Sequence, residues 1–221
     1  MNSAATPPTS RSYRGLKAAE RKALRRENLI EAGVDIIGNR GYAQTTVKDL
    51  CRKAGVSERY FYESFANKEE LLSAVYQHVT DRLRDGFIDI MNDRGSSSGQ
   101  RGQDATRMFL RHVSDPVLAR IQLQEILGVS DALNREYQRA MTELGEFISL
   151  AMRMVFPDIP AEKFASGVVG ASMAGAVIQV ANNWVFRGYD MPLEELADEM
   201  YALLLASAEK LSLSGEPGQQ P

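Results

Sequence analysis

Apolar residues in this chain recur at helical spacing and nowhere alternate as they would in a half-buried strand. Leu29, Ile30, Gly33, Ile36 and Ile37 fall mostly three or four positions apart. Leu72, Val75, Tyr76, Val79, Leu83, Phe87 and Ile90 carry a second stripe to about residue 91. That period lines up one face of a helix and does not suit a pleated sheet, whose faces repeat every second residue. The expectation is an all-α fold of about nine helices. At 221 residues and 44% apolar content, the chain is long enough for one or two packed domains and is not a disordered polymer.

The formal charge of -3 conceals two unlike parts. Residues 1–80 hold 13 Lys/Arg against 9 Asp/Glu, net +4; residues 81–221 hold 13 against 20, net -7. Segment 11–26 has seven basic residues and one acid, Glu20. Such asymmetry points to a polyanionic partner for the N-terminal part alone. The lone cysteine, Cys51, excludes an intrachain disulfide and a cysteine-rich zinc site, and His78 and His112 lack metal-ligand spacing. The N-terminus is polar, without the apolar core of a signal peptide. A reduced, cytoplasmic protein is expected, with no metal, cofactor or catalytic site.

Punctuation divides the chain. Residues 1–15 read as a mobile basic arm, 16–67 as a first helical domain, 68–213 as a second, and 214–221 as a disordered tail. Gly38 and Gly41 bracket the end of the first helix. Thr46, with Asp49 three residues on, predicts a capped helix over 47–54 that Gly55 ends. Ser57 is positioned to cap another over 58–64, and Asn67 with Glu70 starts a longer one. The run 92–102 reads as a loop, and further breaks are expected at Asp115-Pro116, Gly128–Ser130, Pro157–Pro160 and Gly188–Pro192.

Phe164–Phe186 has 23 residues without a charge, long enough to cross a bilayer. Two Ser, one Gln and two Asn interrupt it, which favours a helix buried on several sides of a globular core. Gly167, Ala171 and Gly175 form a small-residue face allowing close helix approach. A second copy of the chain related by a two-fold axis is the expected neighbour, the alternative being an intrachain contact.

The segment 46–64 has the anatomy of a helix–turn–helix. Gly55 supplies the backbone freedom of the turn, and Val47, Leu50, Val56 and Phe61 can face a small core. Glu58, Arg59, Tyr60 and Tyr62 are then left outward, where they can reach groove edges and phosphates. The runs GYAQTTVKDL and AGVSERYFYESFANKEELL, within Arg26–Val79, resemble the N-terminal domain of the tetracycline-repressor (TetR) family. The resemblance covers about 55 of 221 residues.

The resemblance implies an N-terminal three-helix helix–turn–helix domain plus a C-terminal helical bundle that binds a ligand and dimerises. It implies phosphate contacts for Thr46, Ser57 and Lys68 and a backbone contact for Tyr62. Arg59 and Tyr60 depart from the small residues common in the family and are the expected base readers; an Arg can pair with guanine. Lys48 and Glu58 complete the DNA-facing set in the motif, and Arg11 and Arg14 extend it along the arm. The implied function is a homodimeric repressor released from a near-palindromic operator by a small-molecule effector. Competing readings are a helical enzyme or membrane-associated ligand-binding protein whose N-terminal helices only pack, and a regulator with a filled C-terminal core.

Other features carry less. Cys51 reads as a buried structural thiol, and both histidines as surface or packing residues. Gly170-Ala-Ser172-Met-Ala174 lacks the last glycine and the strand–turn–helix setting of a hydrolase elbow. Phe109, Gln122, Tyr137, Met141, Met173, Gln179, Asn182, Asn183 and Trp184 are the candidate lining of an apolar pocket with a few polar contacts. Gln179, Asn182 and Asn183 stand out because buried amides need partners.

Overall fold

A computed structural model describes residues 18–213. The expected arm 1–15, with Arg11 and Arg14, and the tail 214–221 lie outside the described residues. Ten helices and no strand occur among those described. The chain divides into two compact units between Val75 and Tyr76.

The first unit contains α1 (Ala18–Arg40), α2 (Val47–Ala54), α3 (Glu58–Tyr62) and the first turns of α4 (Lys68–Asn92). α1 ends at Arg40, between Gly38, which is buried in its last turn, and Gly41, which makes the turn at φ 86°. Leu29, Ile37, Leu50, Phe61, Phe65 and Leu71 are essentially inaccessible to water. Each such side chain contributes on the order of 1.5–3 kcal/mol on burial. A Cβ added at Gly33 would lie 2.5 Å from Val75 Cγ2, so glycine there lets α1 and α4 approach closely. This is why the units divide at Val75 and not at residue 67, the boundary expected from sequence. Leu71 and Val75 belong to the first core.

The second unit contains the rest of α4, α5 (Ser98–Val113), α6 (Pro116–Leu123), α7 (Asp131–Val155), α8 (Glu162–Ala165), α9 (Val168–Phe186) and α10 (Leu193–Leu213). Asp115 caps α6 through the amides of Val117 and Leu118, with Pro116 at the first turn, and Ser130 caps α7. The expected loop 92–102 is shorter than its composition suggests. Ser97 accepts from the Gln100 amide and starts α5 five residues earlier, at Ser98. Gly99 and Gly102 lie in this first part of α5, and glycine at 102 leaves room for Tyr201, whose ring atom would stand 2.8 Å from a Cβ there. The tenth helix is α8, cut from α9 by Gly167 at φ 71°.

The charge-free stretch is therefore interrupted near its start. α9 remains long and apolar enough, by length and composition, to cross a membrane. It is not buried on several sides. Gly170, Ala174, Ile178, Ala181 and Trp184 form one buried stripe against the core that includes Phe109, Leu110, Leu196 and Met200. Val168, Ala171, Gly175, Ala176 and Phe186 are exposed. The closest helix crossing uses different small residues from those expected. A Cβ at Gly170 would stand 2.5 Å from the Gly145 carbonyl oxygen of α7.

Candidate nucleic-acid interface and an apolar cavity

The helix–turn–helix is built by local bonds. Thr46, extended at ψ 154°, accepts from the Asp49 amide at 3.1 Å, and its hydroxyl donates to the Asp49 carboxylate at 2.8 Å. That hydroxyl is the leading reason the Asp49 carboxyl titrates below its ordinary range. Gly55 takes the left-handed conformation at φ 67°, where no atom would touch a Cβ; the turn needs the backbone freedom and not the space. The Val56 amide then donates to the Cys51 carbonyl at 3.0 Å.

Ser57 stands at the head of α3, but its side chain makes no capping bond. Its backbone carbonyl instead accepts from the Tyr60 amide at 3.0 Å. The helix also stops at Tyr62, two residues short of the expected end. The amides of Ser64 and Phe65 both turn to the Phe61 carbonyl, which swings Phe65 into the core.

Phe61 is fully buried, whereas Glu58, Arg59, Tyr60 and Tyr62 are exposed on α3, with Ser57 exposed at its head and Lys48 exposed on α2. Arg59 is 84% exposed at its side chain, and its Nε donates to Glu63 at 3.0 Å. Tyr62 sits edge-on to Phe61 with centroids 5.3 Å apart. The Arg25 guanidinium of α1 lies 4.2 Å over the Tyr60 ring, a cation–π contact that sequence spacing gave no way to find.

Lys68 behaves differently from its expected role. Its ammonium donates to the Tyr42 and Thr45 carbonyls at 2.8 and 2.9 Å and lies 4.1 Å over the Tyr42 ring. Partial burial lowers its pKa. It holds the turn before α2, the segment that ends in the Thr46 cap. Cys51 is a buried thiol whose pKa is raised by that burial and then by Glu58, the opposite of what a reactive thiolate needs.

In the second unit, Phe109, Gln122, Tyr137 and Met141 line one cavity of about 80 Å³. The other expected pocket residues lie elsewhere. Gln179 and Asn183 are exposed and bonded to each other at 2.9 Å, and Asn182 is half-buried in the same helix. They satisfy or solvate their amides on the outer side of α9, so no buried partner is required. Trp184 is buried and its Nε1 donates to the Met191 carbonyl at 2.9 Å. Met173 packs beside Met152 and Ile159 in a separate small cluster. Phe87 and Phe147 also line the cavity, a pairing that sequence spacing does not reveal, because only the tertiary fold brings these parts of α4 and α7 together.

His112 is pushed down to about 4, chiefly by burial and then by the Arg82 charge. Its folded form is neutral below its ordinary 6.5, so the unfolded chain takes up the proton first. The stability tied to this group is fully present above about 6.5 and declines as the pH falls toward about 4. The expected loss is roughly 2–3 kcal/mol. Urea titrations from pH 7.5 to 4.5 should therefore show a steeper fall for the native chain than for His112→Leu; parallel slopes would refute this.

Comparison with known proteins adds the ancestry. Residues 29–75 match the family described as bacterial regulatory proteins, tetR family. The transcriptional regulator BetI of Rhizobium meliloti is 34% identical over 68 residues, 31% of this chain and 34% of that protein. BetI of Escherichia coli O127:H6 is 30% identical over 80 residues, 36% of this chain and 41% of that protein. The chain thus spans well under half the length of these curated relatives. The fatty acid degradation regulator FadR of Bacillus halodurans superposes with a TM-score of 0.68 at 22% identity, covering 82% of this chain and 94% of that one. FadR of Bacillus subtilis, in complex with stearoyl-CoA, gives 0.66 at 18% identity, covering 81% and 97%. At those identities the likeness is one of fold, and it extends through both helical regions. The match across α1 to α4 is thus to the N-terminal domain of the tetR family of bacterial regulatory proteins, and the remainder of the chain shares the fold of these regulators.

Proposed function

We propose that this protein is a cytoplasmic, sequence-specific DNA-binding regulator of transcription and not an enzyme. The observation that carries the reading is the outward face of α3, where Arg59, Tyr60 and Tyr62 project from a helix anchored by Phe61. Arg59 reads a base edge, Tyr60 is steadied for readout by Arg25, and Thr46, Lys48, Ser57 and Tyr62 meet phosphate or sugar. Glu58, among cations, screens against misplaced phosphate. Lys68 acts at one remove, by holding the Thr46 turn. Arg11 and Arg14 extend the basic surface along the DNA.

The protein acts as a homodimer that spaces two recognition helices about 34–36 Å apart on a near-palindrome. The exposed apolar side of α9 and α10 supports a partner of the same chain: Val168, Phe186 and Leu203 are 64%, 92% and 67% exposed. Ala171 and Gly175 lie on that side, with Gly167 at its end. A two-fold related copy would cover such a face isologously. The double variant Phe186→Glu/Leu203→Glu is expected to be monomeric by light scattering and to lose cooperative binding to paired half-sites. A dimer of unchanged affinity would remove this interface.

A small molecule bound in the second unit releases the DNA, acting through α4, which has residues in both units. Such control requires that the effector prefer one of two dimer geometries. The stearoyl-CoA held by the Bacillus subtilis neighbour supports a ligand-responsive second unit here. Repression is favoured over activation, since effector binding removes the protein from its site.

The test is selection of bound sites from random DNA. The expected result is a near-palindrome whose affinity falls steeply with salt. Arg59→Ala should relax one base position by about 1–3 kcal/mol of discrimination while leaving the unfolding midpoint unchanged. An absence of enriched sites would favour the reading in which the N-terminal helices only pack.

A further inference from the structure

The outward face of α3 ends beside an acid that the DNA-facing set does not include. Glu63 follows the last helical residue, and its Oε1 accepts a hydrogen bond from Arg59 Nε at 3.0 Å. The two residues are four apart and share one side of α3. Tyr60 is held from elsewhere, by the Arg25 guanidinium of α1 over its ring. The two outward groups assigned to base reading therefore have separate supports.

Helix stability does not account for Glu63. An exposed i,i+4 ion pair contributes little, and these side chains are 84% and 38% exposed. A carboxylate at the C-terminal end of a helix also meets carbonyl groups, the end that disfavours negative charge. DNA affinity does not account for it either, because phosphates repel a carboxylate. What the carboxylate does is fix a plane. The Arg59 guanidinium is planar, with Nε and both Nη groups in one rigid fork. Holding Nε–H on Glu63 sets the direction of the two Nη groups, which have no hydrogen-bond partner among the described residues.

An arginine reaches guanine O6 and N7 either end-on, through both Nη groups, or side-on, through Nε and one Nη. With Nε taken by Glu63, only the end-on fork remains. The carboxylate also competes with phosphate for the same guanidinium, which weakens contacts that carry no sequence information.

We propose that Glu63 is a positioning residue for DNA recognition: it holds Arg59 as an end-on fork for a guanine in the major groove and keeps it off the phosphates. This rests on the reading of α3 as the recognition helix, and it names the base selected and the residue that enforces the choice. Glu63 lowers affinity for DNA in general and raises discrimination.

The test uses the full-length protein with two probes. One is the duplex recovered by selection from random DNA, its half-site positions varied base by base. The other is an alternating dA-dT duplex, which contains no guanine. Affinities are read by fluorescence anisotropy over a range of salt. Glu63→Ala should lower the guanine preference at one position of each half-site by about tenfold. It should bind the dA-dT duplex about threefold more tightly, with a log–log salt slope steeper by about 1 per chain, because Arg59 is then free to meet phosphate. Glu63→Gln, whose amide oxygen still accepts from Nε, should keep an intermediate preference. In an Arg59→Ala background, Glu63→Ala should change no base preference. Amide exchange at Tyr60 and Phe61 should match the native chain. An unchanged guanine preference in Glu63→Ala would overturn the proposal, as would equal preferences in Glu63→Gln and Glu63→Ala. So would a preference lost only together with amide protection in α3, which would make Glu63 a helix brace. Native protein that selects sites in which Arg59→Ala alters no position would overturn it while leaving DNA binding in place. Native protein that selects no site removes the reading of α3 as well.

Discussion

Gly170→Leu is expected to destabilise the second unit by at least about 3 kcal/mol, the upper end of ordinary overpacking. The reason is the identity of the neighbour. A Cβ at this position lies 2.5 Å from the Gly145 carbonyl oxygen and 2.8 Å from Ser149 Oγ, and the backbone of α7 cannot rotate aside. Leucine would add further carbons in the same direction, so α7 and α9 would have to separate along their whole contact. Gly86→Ala is the control. Its nominal overlap is similar, 2.9 Å, but the atom met is the Met108 sulfur at the end of a flexible side chain. Alanine also gains about 1 kcal/mol of helix propensity there. Urea unfolding should separate the two variants clearly; equal midpoints would mean that the helices are not held at the Gly145–Gly170 crossing.

The second large effect lies in the DNA-reading unit. Phe61→Ala should cost about 3–5 kcal/mol, the range for deleting a buried aromatic side chain. A helix of five residues such as α3 does not form by itself, because nucleation costs more than its few hydrogen bonds return. Phe61, at 0% exposure, is the side chain that ties α3 to the core, with Phe65 at 5.8 Å between centroids. Its loss should abolish DNA binding although no outward residue has changed. Hydrogen exchange would show the amides of Tyr60 and Phe61 losing protection, while those of α9 keep theirs. Arg59→Ala would separate the two readouts: binding impaired, protection intact. If Phe61→Ala kept native protection in α3, the anchoring argument would be wrong.

These effects bear on how the sequence could be read. The bounds of α2 were legible because Thr46 and Gly55 act through their own backbones and near neighbours. The exposure of Arg59 and Tyr60 followed from Phe61 being the apolar member of a short helix. Two local readings failed. Ser57 has a capping residue's identity but not the bond, and Gly99 and Gly102 look like loop residues until Tyr201 is placed over them. Gln179, Asn182 and Asn183 suggested a buried polar site because α9 is charge-free. Five of its 19 residues, about one per turn, make the buried stripe, and these amides fall outside it.

The sequence by itself determined the all-helical class, the helix–turn–helix and the family likeness. Those depend on apolar period, capping residues and turn glycines, which act over a few residues. Tertiary structure decided the rest. It selected Gly145 and Gly170 as the close crossing, turned the Lys68 ammonium onto the Tyr42 and Thr45 carbonyls and set Arg25 over Tyr60. Each of these depends on which surfaces meet between residues far apart in the chain, and a one-dimensional spacing carries no record of that.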